Sequence, residues 1–224
     1  KHAEAHYRLA NAFFKLGKTD AAIAQYRAVL ELDSKNAQAR TNLGSALDAK
    51  GDAESAVREF RRAIEDNPRH APAHFNLANV LWKDGDLEGA IAEYRRAVEL
   101  DPRYIEARTN LGSALDAAGR PSEAAEQYRA ALKINPRYVP AEFNLALFLG
   151  EQGEVDAAVE RLRRVIKLSP RDADAHYHLG RYLAERGERE SAAREFREAL
   201  NIQPELASAQ EALDRLPRDE EKPR

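Results

Sequence analysis

The chain has 224 residues, with 35 lysines and arginines, 38 aspartates and glutamates, a formal net charge of −3 and no cysteine. The balanced charge gives no overall attraction to nucleic acid or anionic lipid, and the lack of cysteine excludes disulfides and thiolate chemistry. Every apolar run is shorter than the roughly 20 residues that a membrane-spanning helix needs. The sequence therefore predicts no nucleic-acid partner and no insertion into a membrane.

The first residues already lie inside a repeated pattern, and the chain contains no methionine. We therefore expect a piece of a longer protein from which a signal peptide could have been removed. The compartment stays unknown on this evidence, with the cytoplasm favoured.

A period of 34 residues organises the chain. The eleven residues 39–49 recur unchanged at 107–117, which is two periods later. Glycine accepts the left-handed backbone conformation just past a helix end, so a glycine at every period predicts a tight turn between two helices. These glycines are Gly17, Gly51, Gly85, Gly119, Gly153 and Gly187. Prolines with the same spacing predict the ends of the second helices. They are Pro68, Pro102, Pro136, Pro170 and Pro204.

Each period contains two amphipathic helical patterns, and small residues such as Gly44 and Ala56 recur where the two helices cross. A single repeat cannot bury its own apolar face, so neighbouring repeats are predicted to stack. The six predicted repeats within 1–206 are 3–36, 37–70, 71–104, 105–138, 139–172 and 173–206. A shorter amphipathic segment at 207–216 predicts a capping helix, and the charged segment 217–224 predicts a disordered tail.

The letters of the repeat resemble the tetratricopeptide repeat (TPR) family. Leu43-Gly44 match its first helix, Ala56 and Phe60 its second helix, and Pro68 its closing proline. The resemblance runs from residue 3 to about 206. It implies an all-α, right-handed solenoid (a superhelix) of six helix-turn-helix repeats plus a C-terminal capping helix.

Two features depart from the family pattern. The tryptophan of the first helix is replaced by His6, Arg40, His74, Arg108, Glu142 and His176. Asp66 stands where the other repeats carry leucine or isoleucine, and the sequence offers no role for it.

First helices line the concave side in the TPR family, so their exposed face is where the resemblance implies a ligand. Asparagine recurs there as a column formed by Asn42, Asn76, Asn110 and Asn144, and Asn11 and Asn79 lie one helical turn beyond the column position. An amide offers both a donor and an acceptor, which match the N–H and C=O of an extended backbone. The column is broken by Arg8 and His178 in the first and last repeats.

Aromatic and Thr/Asp residues are predicted to alternate beside this column. The predicted aromatic residues are Tyr7, Phe75, Trp82, Phe143 and Tyr177, and the predicted polar residues are Thr41, Asp48, Thr109 and Asp116. The column is similar to the asparagine column of the repeat superhelix in O-GlcNAc transferases. That resemblance implies that Asn42, Asn76, Asn110 and Asn144 hold an extended polypeptide. The alternative is that these amides only keep the surface soluble or bond to neighbouring helices.

No arrangement of nucleophile and base is found, so we predict no enzyme and no cofactor. His176 and His178 point to different faces of a helix, and His70 and His74 straddle a loop, whereas zinc needs three or four converging ligands. No metal site is therefore predicted. The predicted function is a protein-interaction scaffold that binds an extended peptide segment in a concave groove. Two alternatives stay open: a substrate-recruiting arm of a larger enzyme, and a self-assembling scaffold whose groove is filled by another copy.

Overall fold

The computed structural model describes residues 2–216, and within that range the chain forms thirteen α-helices and no strand. The predicted tail 217–224 lies outside the described residues. The helices are α1 (His2–Lys15), α2 (Thr19–Leu32), α3 (Ala37–Ala49), α4 (Ala53–Asp66), α5 (Ala71–Lys83), α6 (Leu87–Leu100), α7 (Ile105–Ala117), α8 (Pro121–Ile134), α9 (Val139–Glu151), α10 (Val155–Leu168), α11 (Ala173–Glu185), α12 (Arg189–Ile202) and α13 (Ala207–Arg215). The prediction of an all-α fold of repeated helix pairs is confirmed.

The turns between paired helices follow the glycine prediction. Gly17, Gly51, Gly85, Gly119, Gly153 and Gly187 all have positive φ, between 70° and 89°, and no other described residue does. Several helix starts are capped by a side chain. Asn36, Asp52 and Asp172 each accept a hydrogen bond from the backbone N–H three residues later. Such caps satisfy donors that the first helical turn leaves free, and therefore fix where these helices begin.

The chain divides into two compact units, an N-terminal unit (Lys1–Ala124) and a C-terminal unit (Ala125–Arg224). In the N-terminal unit, α1 packs on α2, α3 on α4 and α5 on α6, and each second helix also contacts the next first helix. A Cβ atom on Gly44 would lie 2.6 Å from the Phe60 ring, so only glycine lets that ring fit between α3 and α4. The predicted close approach of small residues is confirmed at this crossing.

In the C-terminal unit, α9 packs on α10 and α11 on α12. The crossing of α11 and α12 repeats the arrangement at Gly44, because a Cβ atom on Gly180 would lie 2.6 Å from the Phe196 ring. Helix α13 contacts α12 and α11 and buries Ala209.

The three histidines that replace the family tryptophan each form a hydrogen bond with the residue 19 positions later, which lies in the second helix. His74 Nδ1 lies 2.6 Å from Glu93 Oε2, and His176 Nδ1 lies 2.7 Å from Glu195 Oε2. His6 Nδ1 likewise lies 2.7 Å from the Gln25 amide oxygen. Hydrogen bonds thus join the two helices of these repeats where the family uses an aromatic side chain.

Asp66 has a structural role of the same kind. Arg40 Nε donates to Asp66 Oδ2 over 2.8 Å, while Arg40 Nη1 donates to Glu59 Oε2 over 3.1 Å. The guanidinium also donates to the carbonyl oxygen of Ser34. The two carboxylates and the carbonyl satisfy a mostly buried arginine, which an aliphatic residue at position 66 could not do.

Candidate functional site

The asparagines of the column form three hydrogen-bonded pairs of side chains in the N-terminal unit. The Nδ2 groups of Asn42, Asn76 and Asn110 donate over 3.1, 3.2 and 3.1 Å to the side chains of Asn11, Ser45 and Asn79, respectively. Each acceptor precedes its donor by 31 residues, one period less one helical turn. We call these six residues the amide row. Asn42, Asn76 and Asn110 thus each use an N–H to bond a side chain of the preceding first helix.

Two tyrosines of the second helices orient the amide row. Tyr26 Oη donates to Asn11 Oδ1 over 2.6 Å, and Tyr94 Oη donates to Asn79 Oδ1 over 2.5 Å. Burial raises the pKa of both phenols, so both are neutral donors near pH 7. The carbonyl of Asn79 accepts from both Tyr94 and Asn110, which fixes its amide plane. Within residues 2–216, the N–H groups of Asn79 have no partner.

A cleft with a cavity volume of about 450 Å³ opens along this part of the row. The Asp48 carboxylate at its edge accepts a hydrogen bond from Lys83 Nζ over 2.7 Å. The half-buried Trp82 side chain lies beside the amides, and the Phe60 and Tyr94 rings are buried beneath. We call this site the Trp82 cleft. Its lining residues are Ser45, Asp48, Phe60, Asn76, Asn79, Trp82, Lys83, Tyr94, Asn110 and Ser113.

The structure thus brings together five of the residues predicted for the groove: Asp48, Asn76, Asn79, Trp82 and Asn110. The site combines amide donors and acceptors with aromatic surface, which suits a ligand that carries both backbone-like polar groups and apolar groups.

The predicted residues nearer the N-terminus lie outside the lining of this cleft. Asn42 donates to Tyr7 Oη over 3.0 Å as well as to Asn11, and its own carbonyl oxygen accepts from Gln38 Nε2 over 3.1 Å. The hydrogen-bonding groups of Asn42 are therefore largely used within the protein. The Tyr7 ring packs 6.2 Å from Tyr26.

The prediction that Thr41 and Thr109 line the groove is wrong. Their exposed fractions are only 1 % and 3 %, and their hydroxyls donate to the carbonyl oxygens of Ala37 and Ile105 one turn earlier. This position in the repeat faces the neighbouring helices, which is why a ring there also packs inward. Phe75, for example, lies 5.9 Å from the Tyr94 ring and 4.9 Å from the Tyr104 ring. Phe75 is not part of the cleft lining.

In the C-terminal unit the corresponding positions are crowded by rings. His178, which replaces a column asparagine, lies 5.6 Å from Phe143 and 5.0 Å from Tyr177. Burial lowers the pKa of His178 to about 4, with a smaller contribution from the charge of Arg181. Asn144 lies half-buried in α9 of this unit, while Asp116 is exposed near the end of α7 in the N-terminal unit.

Several cleft residues were not predicted as ligand-binding, namely Ser45, Phe60, Lys83, Tyr94 and Ser113. Tyr94 could have been found from a correlation in the first three repeats. Asn11 and Asn79 are each followed 15 residues later by a tyrosine, whereas Ser45 is followed by Phe60, which has no hydroxyl. This correlation is limited to the first three repeats, because Ser113 in the fourth is followed by Tyr128.

Among residues 2–216, no cluster of three or more histidine or acidic side chains could hold a metal ion. The same part of the chain contains no helix that is long and apolar enough to span a membrane.

The stacked helix pairs with a left-handed glycine between partners define a helical-repeat protein. One family model described as tetratricopeptide repeat matches residues 41–105 and 143–209, and a second model with the same description matches residues 81–141. A third model, described as TPR repeat, matches residues 10–51. The chain belongs to the tetratricopeptide repeat family. A search of curated proteins gives no match.

Solved structures with the same fold include one described as a peptide-binding TPR protein. The Pseudomonas aeruginosa protein PilF is 22 % identical, with a TM-score of 0.85 over 94 % of this chain and 96 % of its own. YrrB, described as a TPR protein with an unusual peptide-binding site, is 23 % identical, with a TM-score of 0.71 over 84 % of this chain and 97 % of its own. MamA is 25 % identical, with a TM-score of 0.68 over 78 % of this chain and 95 % of its own. The family and the fold are those of protein-interaction scaffolds, which are generally not catalysts.

Proposed function

We propose that the chain is a protein-interaction scaffold whose Trp82 cleft binds an extended segment of a partner polypeptide. The observation that carries this proposal is the arrangement around Asn79. Its carbonyl is held by Tyr94 and Asn110, and both lie in the lining of the same cleft. The N–H groups of Asn79 are thereby left to donate to a backbone carbonyl of the ligand.

Acceptors for the ligand's N–H groups lie on either side of Asn79. Asn76 and Asn110 each use Nδ2 in the amide row, and within residues 2–216 their carbonyl oxygens have no partner. The cleft therefore offers both a donor and acceptors, which can match the C=O and N–H groups of an extended backbone. Because internal hydrogen bonds already fix these amides, less side-chain freedom is lost on binding than at a mobile surface.

Backbone bonds alone give little affinity. Each contributes about 0.5–1.5 kcal/mol net, while ordering each residue of a free peptide costs about 1–2 kcal/mol. The apolar surface of Trp82 supplies the further contact area that a stable complex needs. The description of YrrB as a peptide-binding TPR protein also supports the proposal.

The proposal can be tested with an isosteric substitution. Peptides of about ten residues, which would span roughly 33 Å when extended, are selected from a random display library on the purified chain. The affinity of the selected peptide is then measured for Asn79→Asp. The carboxylate still accepts from Tyr94 and Asn110 but cannot donate, so we expect about tenfold weaker binding, equivalent to 1.4 kcal/mol.

Asn11→Asp is the matched control, because Asn11 accepts from Tyr26 and Asn42 in the same way but lies outside the cleft lining. Its affinity for the selected peptide should equal that of the unmodified chain. Failure to select any peptide, or equal affinities for Asn79→Asp and the control, would reject the proposed function. Light scattering over a dilution series shows whether the chain self-associates, as the alternative of a groove filled by another copy requires.

A further inference from the structure

We infer that the Trp82 cleft selects a segment with one uncharged, bulky apolar side chain, preferably aromatic, which packs against Trp82. This inference rests on the proposed function and adds the specificity of the same site. The structural basis is the division of the lining into polar amides and a single apolar region.

One exposed ring and two buried ones form the apolar region. Trp82 is half-buried and therefore exposes part of its indole to the cleft, and the Phe60 and Tyr94 rings, which are 1 % and 2 % exposed, lie beneath and support the cleft floor. Aromatic side chains prefer offset or edge-to-face contacts, with centroids about 4.5–7 Å apart. An aromatic side chain from a ligand can make such a contact with the indole and displace water from apolar surface.

The charges of the lining cancel. Asp48 and Lys83 are the charged residues among the ten that line the cleft, and they pair with each other over 2.7 Å. A charged ligand side chain would lose its hydration beside the rings and would compete with an existing ion pair for a partner. The electrostatics therefore favour an uncharged side chain.

Trp82 supplies the exposed apolar surface of the cleft, and the residues at its place in the two neighbouring repeats are polar. The positions 34 residues before and after Trp82 carry Asp48 and Asp116, both acidic. Asp116 is exposed, and Asp48 is at the edge of the cleft. The lining therefore fits one anchoring side chain, with polar residues on both sides of it, rather than a motif that repeats along the ligand.

The experiment uses three end-capped peptides of about nine residues, which would span roughly 30 Å when extended. All three alternate serine and threonine and differ only at the central residue, which is phenylalanine, alanine or glutamate. Isothermal titration calorimetry measures their affinities, and Trp82 fluorescence reports occupancy because it is the only tryptophan in the chain. We expect the phenylalanine peptide to bind at least about 30-fold more tightly than the alanine peptide, the effect of a strong interface residue.

Two variants assign the preference to Trp82. In Trp82→Ala, the phenylalanine and alanine peptides should bind within about threefold of each other, less than 1 kcal/mol. Trp82→Phe keeps a ring and should keep most of the preference, which guards against an effect of altered folding. A preference for phenylalanine that survives in a folded Trp82→Ala would overturn the inference.

The remaining outcomes separate the inference from the proposed function. Equal binding of all three peptides, with a loss in Asn79→Asp, would overturn the apolar anchor and leave peptide binding intact. Tightest binding of the glutamate peptide would also overturn it. No binding of any of these peptides, together with failed library selection, would reject both.

Discussion

Trp82 and Gly150 occupy the same place in the repeat, 68 residues apart, yet their surroundings differ. In the N-terminal unit the indole borders an open cleft. In the C-terminal unit a Cβ atom on Gly150 would lie 2.1 Å from the Tyr182 hydroxyl, so the tyrosine fills the space that a side chain there would need. Tyr182 Oη also donates to the carbonyl oxygen of Leu147 over 3.4 Å. A few side chains thus decide whether the same backbone frame is open or filled.

The two units also differ in which helix carries the positive charge of an ion pair at the same two positions of the repeat. Arg40 on a first helix pairs with Glu59 on a second helix, whereas Glu142 on a first helix pairs with Arg161 on a second helix, over 2.6 Å. Either polarity joins the helices. The frame therefore accepts complementary partners of either polarity at these two positions, and His6 with the uncharged Gln25 shows that a hydrogen bond is sufficient.

Reversing one partner of the second pair should give the largest effect. In Arg161→Glu a new carboxylate would face Glu142, whose side chain is only 5 % exposed and would keep only the mostly exposed Arg164, 3.9 Å away, as an ion-pair partner. Leaving a buried charge without its partner costs about 3–5 kcal/mol, and we expect a loss of that size in the free energy of unfolding. The double variant Glu142→Arg/Arg161→Glu restores the polarity seen at Arg40 and Glu59 and should recover most of it. Guanidinium unfolding measures both, and equal losses in the single and double variants would contradict the shared frame.

A large side chain at position 150 should have the next largest effect. Gly150→Trp would collide with Tyr182 and should destabilise the protein by about 3 kcal/mol, the upper end for overpacking. Asp116→Trp is the matched control, because Asp116 holds the same place in its repeat but is exposed. Its expected change is within about 0.5 kcal/mol. Thermal unfolding compares the two, and Tyr182→Ala should relieve part of the loss at position 150; equal effects at positions 116 and 150 would contradict the packing argument.

The fold can be predicted from the sequence because certain residues recur in every repeat and have the same backbone or packing role each time. The six turn glycines and the small residue at Gly44 belong to this class. The Trp82 cleft is only partly predictable in this way. Asn76, Asn79 and Asn110 follow from the period. Thr41 was wrongly placed in the groove because adjacent residues of a helix point in different directions, so Thr41 faces inward although Asn42 beside it belongs to the column.

The 34-residue period alone does not predict which side chains pair between helices. Asp66 breaks the pattern in sequence, and its reason is Arg40, which lies 26 residues away. Glu142 and Arg161 similarly make sense only as a pair. A single sequence shows that such residues depart from the repeat, while the packing of the helices determines what each departure contacts.

His178 should make the stability of the C-terminal unit depend on pH. Its pKa falls from the ordinary 6.5 to about 4 through burial and the charge of Arg181, and opposing contributions come from Asp174 and Asp172. The unfolded chain therefore binds a proton more readily than the folded one. The contribution of the neutral His178 to the free energy of unfolding is complete above pH 6.5. It is lost as the pH falls toward 4, and its size is roughly 1–3 kcal/mol.

His178→Asn, which introduces the residue of the column, removes this titration. Guanidinium unfolding at several values between pH 4 and 7 should show a smaller loss of stability for the variant than for the unmodified chain. Parallel pH profiles for the two proteins would show that His178 does not titrate abnormally.

The smallest effect is expected at the edge of the Trp82 cleft. Lys83 lies where the C-terminal unit has Glu151, and Lys83→Glu would turn the pair with Asp48 into a like-charge contact. The Lys83 side chain is 63 % exposed, so the surrounding water screens both the attraction and the new repulsion. We expect a loss of under about 0.5 kcal/mol that shrinks as salt is added. Thermal unfolding at low and high ionic strength measures it, and a large, salt-independent loss would show that this ion pair holds the cleft together rather than merely bordering it.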